Sequence, residues 1–104
     1  MDNLKRKQEQ TNYVKVVFRC NSGVLLGQYV RKTYPKSTDF LYIRNWVKQY
    51  FKFKKKENIV MKYRHQSNDP FSLVDDLTKG LDYYGIKNGS EITIEELEDE
   101  IEED

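Results

Sequence analysis

Residues 81–94, LDYYGIKNGSEITI, decide how this chain closes. A compact apolar turn over residues 81–86 leads into Lys87-Asn88-Gly89, which reverses the chain because asparagine and glycine tolerate the backbone angles of a tight turn. The residues that follow alternate: Ile92 and Ile94 fall on one face of a strand, Thr93 and Glu95 on the other. A closing strand with one apolar face needs neighbours on both sides and a cover over that face. The preceding residues must therefore supply a hairpin and a helix.

They supply both. Residues 13–20 alternate cleanly, with Val14, Val16, Phe18 and Cys20 on the apolar side and Tyr13, Lys15, Val17 and Arg19 on the other. Asn21-Ser22-Gly23 reads as a hairpin turn, and residues 24–34 as a second strand with Gly27 marking a bulge and Pro35 a stop. Ser37 or Thr38 then caps a helix that has Asp39 in its first turn. Phe40, Ile43, Val47 and Tyr50 recur at helical spacing, flanked by Trp46 and Phe51, so that stripe should face the sheet. Residues 58–64 form a third strand with Ile59, Met61 and Tyr63 inward and Val60, Lys62 and Arg64 outward. A long connection, residues 65–80, turns at Asn68-Asp69-Pro70 and leaves room for a short strand in residues 71–74.

Composition sets the limits. A chain of 104 residues, 38% hydrophobic and 34% charged, makes one well-solvated domain. No apolar run approaches the ~18 residues of a membrane span, and the first residues, MDNLKRKQEQTN, have no apolar signal core, so an intracellular setting with no membrane partner is expected. One cysteine, Cys20, excludes an internal disulfide and a Cys-rich zinc site; the alternation turns it inward as a packing residue. The expected division is a disordered basic lead over 1–11, a folded domain over 12–96 and a flexible acidic tail over 97–104, where Leu97 and Ile101 make no more than a frayed amphipathic turn. Charge is divided too. Residues 1–66 hold sixteen Lys/Arg against four Asp/Glu, whereas residues 67–104 hold two against thirteen. Such a split points to an electrostatic partner, to self-association, or to an acidic end folded onto the basic half.

The order of hairpin, helix, strand, short strand and closing strand resembles the ubiquitin-like β-grasp superfamily over about residues 12–96, with Leu81, Tyr84, Ile86, Ile92 and Ile94 in the positions of that family's final turn and strand. The resemblance implies an α+β fold: a mixed sheet of four to five strands packed on one main helix. Modifiers of this family end in a mobile Gly-Gly tail, whereas here the last strand runs into EELEDEIEED, so no conjugation to targets is expected. The apolar patch that ubiquitin offers its receptors would fall at Val60, Thr93 and Glu95, of which only Val60 is apolar. Receptor binding of that kind is not expected, because a charged face lacks a dry centre.

Function must then lie in other surfaces, since one fold hosts many activities. Arg44, Lys48 and Lys52 at intervals of four should line the helix's outer side, with Lys54, Lys55 and Lys56 continuing the basic run and Val60, Lys62 and Arg64 beside it on the third strand. These nine residues form the candidate partner surface. Catalytic chemistry has few parts to draw on: His65 is alone and expected in an exposed loop, the five glycines are spaced as turns and not as a phosphate cradle, and Asp75, Asp76 and Asp82 lack the alternating oxygens of a calcium loop. The expectation is a non-catalytic adaptor that takes no cofactor, metal or small-molecule substrate and holds a protein partner. The alternative is a ribonucleoprotein or nucleic-acid-associated domain that binds through the basic helix face, with Phe51 and Phe53 available to stack on bases. A continuous basic stripe flanked by exposed aromatics would favour nucleic acid; basic residues dispersed around an apolar patch would favour protein.

Overall fold

The computed structural model of the chain describes residues 12–98. Along the chain come β1 (Tyr13–Cys20), β2 (Tyr29–Pro35), α1 (Phe40–Tyr50), a short 3-10 turn (Lys56–Asn58), β3 (Ile59–Arg64), β4 (Ser72–Leu73) and β5 (Glu91–Glu96). The strands form one five-stranded sheet in the order β2-β1-β5-β3-β4. β5 is its centre, parallel to β1 and antiparallel to β3, as a closing strand with two neighbours must be. The architecture is the expected α+β mixed sheet with one main helix. The anticipated basic lead over 1–11, and the tail from residue 99 with Ile101, lie outside the described residues.

Alternation places the core between sheet and helix. Val14, Val16, Phe18 and Cys20 from β1, Ile59 and Met61 from β3, and Ile92 and Ile94 from β5 are all buried, facing Phe40, Ile43 and Val47 of α1. Burying each such side chain is worth roughly 1.5–3 kcal/mol, which is what holds an eleven-residue helix that would be marginal alone. The final turn works as anticipated: Leu81 and Ile86 are buried, and Tyr84 packs edge-on against Phe40 at 5.5 Å. The Tyr84 hydroxyl accepts from Asp76 N at 2.8 Å and donates to Asp76 O at 2.9 Å, so the turn also pins the long connection. Asn88 Oδ1 accepts from Lys15 N at 2.8 Å, and Gly89 N donates to Lys15 O at 2.9 Å, which fastens the reversal to β1.

Three local expectations are corrected. Residues 21–28 are a wide loop, not a tight turn entering a strand. Gly23 and Gly27 adopt φ of 82° and 89°, and Cys20 N donates to Gln28 O at 2.8 Å to close the loop. Val24 and Leu26 are exposed on it, and β2 begins only at Tyr29, so Gly27 ends a loop instead of marking a bulge. At the helix start Asp39 is itself the cap, its Oδ1 accepting from Tyr42 N at 2.9 Å, in place of Ser37 or Thr38. At the other end Tyr50 is half exposed and stacks on Trp46, while Phe51 is fully buried. The cause is the helix stop. Lys52 takes φ of 61°, and Phe53 N then donates to Lys48 O at 3.0 Å, a terminus usually made by glycine. That turn carries Phe51 and Phe53 inward.

Candidate functional site

The nine candidate residues occupy three places. Arg44 and Lys48 lie half-buried on α1. Lys52 sits beyond the helix end, so it does not continue their line; with Lys54, Lys55 and Lys56 it belongs to the loop before β3. Val60, Lys62 and Arg64 project from β3 on the face opposite the one that Met61 presents to the core. The sheet therefore separates Arg44 and Lys48 from Lys62 and Arg64. Arg44 Nε is shut off from water without a hydrogen-bond partner among the described residues. The basic residues form no single stripe.

On the sheet's outer face, register sets the side chains abreast. Tyr29, Arg19, Thr93, Lys62 and Leu73 make one row across all five strands; Arg31, Val17, Glu91 and Arg64 make the next. Arg19 lies over the Tyr29 ring at 5.3 Å, and Arg64 over the Phe71 ring at 4.2 Å. Leu73 is 53% exposed and Phe71 37%. Between them and β5 is a shallow hollow of about 140 Å³ whose lining includes Val60, Lys62, Phe71, Thr93 and Glu95. Phe71 and Leu73 were absent from the sequence-derived site. Their spacing around Ser72 carried a strand signal, but only pairing with β3 assigns them to the face of Lys62.

Two carboxylates organise the ends of β5. Glu91 accepts from Arg19 Nε at 2.9 Å and from Arg64 Nε and Nη2 at 3.1 and 2.9 Å, tying β1 to β3 across the strand between them. Burial opposes ionisation of Glu91, but the hydrogen bonds and charges of Arg64 and Arg19 outweigh it and hold the carboxyl below the usual glutamate range. Glu96 is held by main-chain donors of the basic loop. Its Oε2 accepts from the backbone N–H groups of Lys54 and Lys55 at 2.7 and 2.6 Å, so this basic loop is folded around an acid. Glu96 N donates to Ser22 Oγ at 2.7 Å, and Leu97 N to Asn58 O at 2.8 Å.

The remaining reactive groups are structural in placement. His65 is half-buried, not exposed as expected, and its Nδ1 lies 3.1 Å from Ser90 Oγ; Ser90 is fully buried, so the pair latches the end of β3 to the final turn. Asp76 Oδ1 accepts from Thr78 N and Oγ1, and Asp75 Oδ1 lies 3.1 Å from the Tyr84 hydroxyl, sharing its single proton with Asp76 O. Cys20 is buried as expected, and burial pushes its thiol up. Among the described residues no group of three or more His, Cys, Asp or Glu is placed to hold a metal ion, and no helix is long and apolar enough to cross a membrane.

No protein-family model matches the sequence, and no curated protein matches it. Its fold, however, has solved counterparts. The C-terminal ubiquitin-like domain of mouse tubulin-specific chaperone e superposes with a TM-score of 0.70 at 14% identity, covering 88% of this chain and 93% of that one. Tubulin-binding cofactor B of Trypanosoma brucei gives 0.67 at 16% identity over 85% of this chain and 99% of that one. Ubiquitin of Caldiarchaeum subterraneum gives 0.62 at 13% identity over 84% and 96%. The chain has the ubiquitin-like fold.

Proposed function

We propose that this chain is a non-catalytic ubiquitin-like module that holds an acidic, apolar-anchored segment of a protein partner on the outer face of its sheet. The observation that carries this reading is the edge of the outer face where Leu73 and Phe71, both exposed, lie beside Lys62, Arg64 and Val60. Around this apolar edge the face bears Lys15, Arg19, Arg31, Lys62 and Arg64 against Glu91 and Glu95. An apolar side chain seated beside Val60 and Phe71 would displace water from the hollow, and carboxylates flanking it would meet lysine and arginine. The names of two structural neighbours, a tubulin-specific chaperone and a tubulin-binding cofactor, support a protein as the kind of partner. Nucleic acid is disfavoured by the dispersal of the basic residues over both sides of the sheet, since a single strand tracks a continuous groove.

Site-specific photo-crosslinking tests this. A crosslinker at position 73 is expected to yield a protein adduct in cells, lost when Lys62→Glu and Arg64→Glu are combined, while a crosslinker at position 41 on α1 does not. Adducts of RNA at position 73, or equal protein adducts at both positions, would refute the assignment.

A further inference from the structure

A second surface lies around the C-terminal end of β5 and is a separate cleft from the hollow on the outer face. It is a cleft of about 600 Å³ whose walls include Lys52, Lys54, Lys55, Val24, Leu97 and Glu98. Val24 is 78% exposed and Leu97 50%, so the cleft combines a basic wall with two solvated apolar side chains. Of the two carboxylates in its wall, Glu96 is engaged by the backbone N–H groups of Lys54 and Lys55. Among the described residues no ion pair joins a carboxylate to the ammonium of Lys52 or Lys54. Lys52 is moreover held at φ of 61°, in a left-handed backbone that a lysine adopts only at a cost.

We infer that this cleft is a site for an acidic segment with an apolar anchor, and that its occupant is the chain's own residues 99–104. The next residues after Glu98 are Asp99, Glu100, Ile101, Glu102, Glu103 and Asp104, five acids around one isoleucine. They complement the cleft in both respects: carboxylates for the lysines, and Ile101 for Val24 and Leu97. Delivery is direct. The bond from Leu97 N to Asn58 O aligns the chain with the start of β3, and Glu98 already stands in the cleft wall. Six further residues reach at most about 20 Å and follow directly on Glu98 in the cleft wall, so no linker is needed. Attachment in cis gives the segment an effective concentration in the millimolar range, so weak individual contacts suffice. The seated tail would also withhold these lysines from other polyanions.

The test uses the labelled full-length chain and a variant with a neutral tail: Asp99→Asn, Glu100→Gln, Glu102→Gln, Glu103→Gln and Asp104→Asn. The amide signals of Val24, Lys52 and Lys54 should differ between the two proteins, while the core methyls of Ile43 and Val47 coincide. Raising salt from about 0.01 M to about 1 M, which shortens the screening length from ~30 to ~3 Å, should move the native spectrum toward the variant. A nitroxide on Asp104→Cys should broaden the Val24 and Lys54 amides in the acidic chain and release them in the neutral one; Cys20, fully buried, leaves the label at position 104. Coincident cleft signals in the two proteins would overturn the inference. Broadening that persists when labelled and spin-labelled chains are separate molecules would overturn the cis occupant, because the tail would then reach a second copy.

Discussion

Glu91 and Glu96 stand at the two ends of one strand and are held in opposite ways. Glu91 is clamped by the side chains of Arg19 and Arg64, contributed by the strands on either side. Glu96 is gripped by two main-chain amides of the basic loop. The first arrangement is an ion-pair network on a sheet surface, its carboxylate largely covered and its Arg19 partner the more exposed. The second completes the backbone hydrogen bonding of an irregular segment, whose N–H groups have no strand or helix to bond. One end of β5 is therefore tuned by charge and the other by geometry.

The comparison can be broken most severely at the geometric end. Glu96→Ala leaves two backbone donors without their acceptor and should cost about 2 kcal/mol in urea unfolding, with faster amide exchange at Lys54 and Lys55. Glu96→Gln keeps an acceptor oxygen and should lose less; equal losses would mean that charge, not geometry, matters there.

At the charged end Glu91→Gln should cost about 1 kcal/mol near neutral pH. Because the native carboxyl is held below its ordinary value, the unfolded chain binds more protons in the acid range. The Glu91 contribution is thus complete above about pH 4.3, the unfolded glutamate value, and disappears as pH falls through the native one. Stability measured against pH should show the native protein and Glu91→Gln converging below that range, and a gap of constant size would remove the ion pair as its cause. The smallest effect sharpens the picture of the loop that Glu96 holds. Lys52→Gly relieves a left-handed backbone penalty of about 1–2 kcal/mol against an entropic cost of about 0.5–1, for a net gain near 0.5 kcal/mol in thermal unfolding. A loss instead would mean that the lysine side chain itself supports the turn.

Legibility in the sequence followed periodicity. The alternation of Val14, Val16, Phe18 and Cys20, the helical recurrence of Phe40, Ile43 and Val47, and the final turn through Leu81 and Ile86 all specify burial, because one face of each element must leave water. Where periodicity lapses, position was not legible. Residues 24–27 look like strand by composition, yet Gly23 and Gly27 make them a loop; Tyr50 fits the apolar stripe, yet the helix stops and Phe51 takes the buried place.

The candidate site was legible only as a set of residue types. Lys62 and Arg64 were correctly turned outward by the period of two, but Phe71 and Leu73 join them only through the pairing of β4 with β3. The basic run from Lys52 to Lys56 looked like an extension of the helix face, and it is a separate loop wrapped on Glu96.

The sequence by itself determined the order of the elements, the inward side of β1, α1, β3 and β5, and the division of charge between the halves, since these depend on local pattern and count. The tertiary structure alone decided which charges meet. Long-range pairing brought Arg19 and Arg64 to Glu91, set Leu73 beside Lys62, and aimed two backbone amides at Glu96, and the amide donors are common to almost every residue, so no local pattern singles them out.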